Sequence, residues 1–197
     1  YGRPETRLTR GQQECCFLLN SMGEVCLKKI LVLYKSKTGF SERYARWIAE
    51  DLQCDLANLA EFKKDSLLQY GLIIYGAGVY AGQINGIGKI KRWMEALPEK
   101  TWVVFATGAT PSREKYEEVI FQSNFRKGEV RPAHFYYLVS GINYEKMRLT
   151  DRLSMRFFTL LSSRKSGSRS TTRQTSLDLS NRVYIEELLR YVRLKAR

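Results

Sequence analysis

Short runs of apolar, β-branched and aromatic residues recur along this chain with helix-patterned stretches between them. That alternation limits the fold more than any other feature. KKILVLY (28–34), YGLIIYGAG (70–78), TWVVFATG (101–108) and AHFYYLVSG (133–141) are such runs, and CDLANLAEF (54–62) is a weaker one. Their unbroken apolar character means strands covered on both faces. SERYARWIAEDL (41–52) carries Tyr44, Ile48 and Leu52 at four-residue spacing, and NGIGKIKRWMEAL (85–97) carries Ile87, Ile90, Met94 and Leu97 on one side. SREKYEEVIFQSNF (112–125) reads as a helix that Ser112 caps, with Glu114 in its first turn, and NRVYIEELLRYVRL (181–194) reads as the last helix. Strands alternating with helices make a parallel sheet, and right-handed crossovers put helices on both its sides. The expected fold is α/β: a doubly wound five-stranded parallel sheet with helices on both faces. Its ligands belong at the strand C-terminal ends, by the topological switch point.

Unusual residues collect in the turns at that end. Val32, Leu33 and Tyr34 lead into SKTGFS (36–41), where Ser36, Thr38 and Ser41 surround Gly39 and a helix follows at once. Backbone N–H groups at a helix start, the helix dipole and neighbouring hydroxyls together favour an anion. The turn lacks the Gly-Lys-Ser/Thr of a nucleoside triphosphatase loop and the G-x-G-x-x-G of a dinucleotide site, so a single phosphate monoester fits it best. The turns GAGVYAG (76–82) and ATGATPS (106–112) leave the same edge. Glycines at 76, 78 and 82 let backbone approach a flat ring closely and adopt positive φ, and Tyr80 can stack on that ring.

The chain has 197 residues, enough for one domain with a substantial core. Residues 1–26 read as a disordered extension before a domain at 27–197, with a start at Met22 or Leu27 as another reading. No apolar run approaches the roughly 20 residues of a bilayer-spanning helix. Cysteines 15, 16, 26 and 54 have no metal-ligand spacing, so free thiols in the cytoplasm are the expectation. His134 is the only histidine, which excludes any histidine-cluster mechanism. Net charge is +13 and uneven: residues 145–197 carry 13 Lys/Arg against 5 Asp/Glu, the first 144 carry 20 against 15. The excess points to an anionic partner. Neither a helix-turn-helix nor an aromatic RNA-binding motif is visible, which disfavours nucleic acid.

The run Val32-Leu33-Tyr34-Lys35 and then Ser36-Lys37-Thr38-Gly39-Phe40-Ser41, with Ala45 and Ile48 beyond, resembles the N-terminal pattern of the flavodoxins. Ser41 replaces the family's threonine and keeps its hydroxyl. The resemblance covers residues 28 to about 144. It implies a flavodoxin-like fold and FMN as cofactor. Ser36, Lys37, Thr38, Gly39, Phe40 and Ser41 would hold the phosphate. Gly76, Ala77, Gly78, Val79 and Tyr80 would flank the isoalloxazine on one side, and Thr107, Gly108 and Ala109 on the other. The stretch RLTDRLSMRFFTLLSSRK (148–165) resembles the insertion before the last helix of the menaquinone-dependent protoporphyrinogen dehydrogenases. The matching features are Asp151-Arg152, Met155-Arg156 and the apolar run after them, following an aromatic strand and Gly141. These are flavodoxin-like enzymes of haem synthesis, so the resemblance implies an oxidoreductase acting on protoporphyrinogen with a quinone acceptor. The rival is an FMN electron carrier without a substrate of its own.

Residues 146–162 read as a basic amphipathic helix before a polar linker, 162–180. Leu149, Leu153, Phe157, Leu160 and Leu161 fall within one third of the helix circumference, flanked by Arg148, Arg152 and Arg156. Such a helix can lie on an anionic bilayer at the inner face of the membrane, present its arginines to porphyrin propionates, or dock on the sheet. A positive field around a flavin stabilises its anionic reduced form and raises its potential. That favours an oxidoreductase taking electrons from an organic substrate over a strongly reducing shuttle. No side chain reads as a catalytic acid or base.

Overall fold

The computed structural model describes residues 28–110, 113–142 and 176–196. In chain order its elements are β1 (Ile30–Lys35), α1 (Phe40–Leu52), β2 (Asp55–Asn58), a 3-10 turn (Lys64–Gln69), β3 (Leu72–Tyr80), β4 (Gln83–Ile84), α2 (Ile87–Ala96), β5 (Thr101–Gly108), α3 (Arg113–Asn124), β6 (His134–Val139), β7 (Gly141–Ile142), β8 (Leu177–Asp178), a second 3-10 turn (Arg182–Ile185) and α4 (Glu186–Lys195). The expected extension at 1–26, the Ser112 cap, the basic helix at 146–162 and most of the linker lie outside the described residues.

Five strands run parallel in the order β2-β1-β3-β5-β6, with β4 folded back on β3. This is the doubly wound sheet that the apolar runs predict. Strand order reverses between β1 and β3, so the switch point lies where Lys35 pairs with Ala77 and the chain leaves for α1. Alternate residues feed two cores. Leu33, Ile73, Tyr75, Val104 and Tyr137 face α2 and α3, while Val32, Ile74, Val103, Phe105 and Leu138 face α1 and α4. All ten are buried, which accounts for the missing polar alternation in the strands.

Several boundaries differ from the sequence reading. The strand expected over 54–62 stops at Asn58, whose side chain accepts the Ala60 N–H at 3.0 Å and whose carbonyl accepts from Glu61 and Phe62. That side-chain turn competes with the ladder and ends it. The strand expected over 70–78 continues to Tyr80 and returns as β4, so residues 76–80 are strand rather than turn. Residues 177–178, expected in the linker, pair with β7: Gly141 opposite Asp178 and Ile142 opposite Leu177.

The β7–β8 pair is pinned to α1. Arg43 forms an ion pair with Asp178. A Cβ at Gly141 would overlap the Leu177 carbonyl and stand 3.0 Å from the Phe40 ring. Deeper in, Tyr44 is fully buried, donates its hydroxyl hydrogen to the Val139 carbonyl and accepts the Asn181 N–H at 3.2 Å. One phenol thus joins α1, the end of β6 and the approach to α4. Burial pushes the Tyr44 phenol up from its ordinary 10.0 to about 12. A raised phenol stabilises the fold fully below the unfolded value, and that contribution is lost as pH climbs from 10.0 towards about 12. Tyr44→Phe strands a carbonyl and an amide, and is expected to cost about 1–3 kcal/mol at neutral pH. Urea unfolding should also show a shallower alkaline decline for Y44F than for the parent chain. An unchanged neutral midpoint would contradict this role for the hydroxyl.

Candidate functional site

The carboxyl edge of the sheet brings the three expected segments together. Gly39 caps α1 with φ 95, a left-handed conformation that disfavours any side chain although the space beside it is open. The Gly39 N–H is held by Ser36 Oγ at 3.0 Å, and the Gly39 carbonyl accepts the first helical bond from Arg43. The N–H groups of Phe40, Ser41 and Glu42 precede that bond, so none has an acceptor within the helix. Thr38 is half-buried beside them. The only acid in the first turn, Glu42, is drawn back along the helix by Arg46 at 2.7 Å. Helix-start amides, the helix dipole and the neighbouring hydroxyls of Ser36 and Thr38 therefore lie in one turn, which suits a phosphate group.

Two contacts tie this turn to its neighbours. Ser41 Oγ lies 2.7 Å from Thr107 Oγ1, and both residues are 3% exposed, so the start of α1 is bonded to the end of β5. Lys37 Nζ sits 4.3 Å over the Tyr80 ring, bringing the turn to the end of β3. Between them β3 and β5 are in register, with Gly78 opposite Thr107.

Individual residues take parts that their types alone did not reveal. Phe40 buries its ring against Gly141, leaving its amide for an anion. Gly76 does not adopt positive φ; a Cβ there would overlap the Phe105 ring, so this glycine makes room in the core. Gly78 also lacks positive φ and lies under Tyr80, whose ring carbon would be 3.1 Å from a Cβ at 78. Positive φ within 76–82 belongs to Ala81 (47°) and Gly82 (80°) instead, the two residues of the β3–β4 turn. Ala77 is buried on the opposite face, and Val79 packs beside it. A Cβ at Gly108 would overlap the Tyr137 hydroxyl, which also accepts the Thr110 N–H at 3.2 Å. Burial, partly offset by that amide, raises the Tyr137 phenol. Ala109 is half-buried in the same turn. Arg148, Arg152 and Arg156 lie outside the described residues.

Tyr137 and Asn124 were missed from sequence, while Thr110 lies in the 106–112 turn that the sequence pointed to. Tyr137 reads as one more apolar strand residue. Asn124 was signalled only by being polar one helical turn after the core residue Ile120. Among the described residues, no group of three or more His, Cys, Asp or Glu could hold a metal ion, and no helix is long and apolar enough to cross a membrane.

The profile of a flavodoxin domain family matches residues 31–169. No curated protein sequence matches the chain significantly. Solved structures similar to it include the Trp repressor binding protein from Bacillus subtilis, at 17% identity and TM-score 0.43, covering 74% of this chain and 100% of that one. A flavoprotein from Lactobacillus acidophilus in complex with FMN is 18% identical with TM-score 0.39, covering 56% and 93%. Oxidised flavodoxin 2 from Bacillus cereus is 20% identical with TM-score 0.38, covering 70% and 99%. The family assignment rests on the profile match.

The Ser41–Thr107 bond yields a direct test. Ser41→Ala leaves a buried Thr107 hydroxyl without this partner and should cost about 1–3 kcal/mol. Adding Thr107→Val removes both hydroxyls, so the double variant should lose less than the two single losses together. Denaturant unfolding of the four proteins measures the coupling; strictly additive losses would contradict it.

Proposed function

Because this chain belongs to the flavodoxin domain family, we propose that it binds FMN at the rim of its sheet and works as an oxidoreductase. The observation that carries this reading is the joined rim, in which a glycine-capped helix start is bonded to β5 through Ser41–Thr107 and meets β3 through Lys37–Tyr80. The residues fit the cofactor. The amides of Phe40, Ser41 and Glu42, with the hydroxyls of Ser36 and Thr38, would hold its phosphate. Residues 76–80 and 107–109 would flank its ring system. When bound, FMN accepts a hydride or electrons from a substrate. The chain's own share is to fix the phosphate by charge-assisted hydrogen bonds, to position the ring between two strand ends and to surround it with a net positive field.

The substrate class we propose is a porphyrinogen, oxidised to its porphyrin with a quinone as acceptor. Arg148, Arg152 and Arg156 would contact the propionates or anionic lipid at the inner face of the membrane. Support comes from the resemblance of residues 148–165, from the basic balance of residues 145–197, and from where segment 143–175 joins the described fold. It leaves after Ile142 and returns before Ser176, at the β7–β8 pair that Arg43 and Phe40 hold against the start of α1. The described residues that flank that segment, Gly141 and Asp178, therefore lie beside the proposed phosphate turn.

FMN fluorescence should be quenched saturably with one site per chain, and riboflavin should bind at least about tenfold more weakly because it lacks the phosphate. Equal affinities would contradict the phosphate assignment. With FMN bound, protoporphyrinogen should be oxidised in the presence of menaquinone. The triple change R148Q/R152Q/R156Q should raise KM for the porphyrinogen while FMN affinity stays unchanged. Absence of turnover would instead favour an electron carrier without its own substrate.

A further inference from the structure

We infer that Asn124 is a positioning residue for the cofactor site, setting the Tyr80 wall of the rim through a buried amide clamp on the β3–β4 hairpin. The inference rests on the FMN reading above. Asn124 sits at the last position of α3 and is 2% exposed. Its Oδ1 accepts the Ile84 N–H at 2.9 Å, and its Nδ2 donates to the Gly82 carbonyl at 2.9 Å and to the Ile120 carbonyl at 2.8 Å. Gln83 adds a bond from Nε2 to the Ser123 carbonyl at 3.3 Å. The side-chain amide thus copies a peptide group, pairing an edge N–H and a turn carbonyl that would otherwise be buried unpaired.

The hairpin requires such a hold. It has two pairs, Val79 with Ile84 and Tyr80 with Gln83, and its turn places Ala81 at φ 47 and Gly82 at φ 80. Two positive φ values match the twist of a tight hairpin but disfavour the alanine. A hairpin this short does not hold its shape alone. Its first arm ends in Tyr80, whose ring lies across Gly78 with Lys37 above it. A path of direct contacts therefore runs from Asn124 through the Gly82 carbonyl and the Ile84 amide to Tyr80, and on to the phosphate turn at Lys37. The same helix is also bonded to β6. Helix α3 follows the 107–110 turn closely, and its Glu117 accepts the Tyr137 N–H at 2.9 Å. The side-chain hydrogen bonds of Asn124 go to Gly82, Ile84 and Ile120 rather than to residues 36–41 or 107–109, so its link to Tyr80 runs through the hairpin.

Asparagine is specified by needing an acceptor and two donated hydrogens at one buried point. Asn124→Asp keeps the volume and the acceptor but cannot donate to Gly82; Asn124→Ala keeps neither. The test uses the full chain and FMN itself. Dissociation constants are measured by flavin fluorescence for the parent, N124A and N124D, each with Tyr80 and with Tyr80→Ala, after far-UV circular dichroism establishes folding. The expected result is folded variants whose FMN affinity falls about tenfold with Tyr80 present and less than about twofold in the Tyr80→Ala background. An unchanged affinity in N124A and N124D overturns the inference. So does an equal loss in both backgrounds, because a purely structural residue would act regardless of Tyr80. Failure of both variants to fold also overturns it, making Asn124 a requirement of the whole domain. A parent chain that does not bind FMN overturns the cofactor reading itself, and that outcome is visible before any variant is compared.

Discussion

A hydrogen bond between two buried hydroxyls, Ser41 on α1 and Thr107 on β5, holds the candidate site together. Their strands are not adjacent: β3 lies between β1 and β5. The bond therefore ties the start of α1, which packs mainly on β1 and β3, to the end of β5. Beside that bond Lys37 reaches Tyr80, and Phe40 packs against Gly141. Two neutral hydroxyls contribute modestly in water, but burial makes the unpaired alternative costly, so the pair acts as a locator.

Much of this was legible in the chain, for physical reasons. Short apolar runs rich in β-branched and aromatic residues read as strands covered on both faces, and their alternation with helical spacing leaves few topologies besides a doubly wound parallel sheet. The turn at 36–41 was readable because glycine with hydroxyls at a strand-to-helix junction has a local meaning. Contacts between distant residues were not legible. Tyr44 fits the apolar stripe of α1, and nothing near it announces that its hydroxyl meets Val139 and Asn181. The β3–β4 turn is Ala-Gly, which lacks the Asn or Asp that marks a two-residue hairpin, so residues 76–82 read as one loop. The glycines there were assigned to a ligand's approach, whereas Gly76 makes room for Phe105. The β7–β8 pair joins residues separated by a long intervening segment, a pairing that no local pattern encodes.

Chemistry and architecture agree on the kind of ligand. The rim offers donors and few negative charges: Glu42 is engaged by Arg46, and Asp178 by Arg43. A phosphate monoester bearing a flat ring would use the whole of it, with the anion at the helix start and the ring between two strand ends, as proposed. A net charge of +13 favours the proposed oxidoreductase role, since a shuttle docking on basic partners would gain from acidic charge.

The start of α1 would grip the phosphate of FMN as a dianion. Phosphorus NMR of the bound cofactor tests it most directly. A free phosphate monoester takes up its second proton near about pH 6. The account predicts a single shifted phosphorus resonance that stays constant from about pH 5 to about pH 8, because amide donors and the helix dipole hold the dianion. A bound resonance that titrates like free FMN over the same range would contradict it.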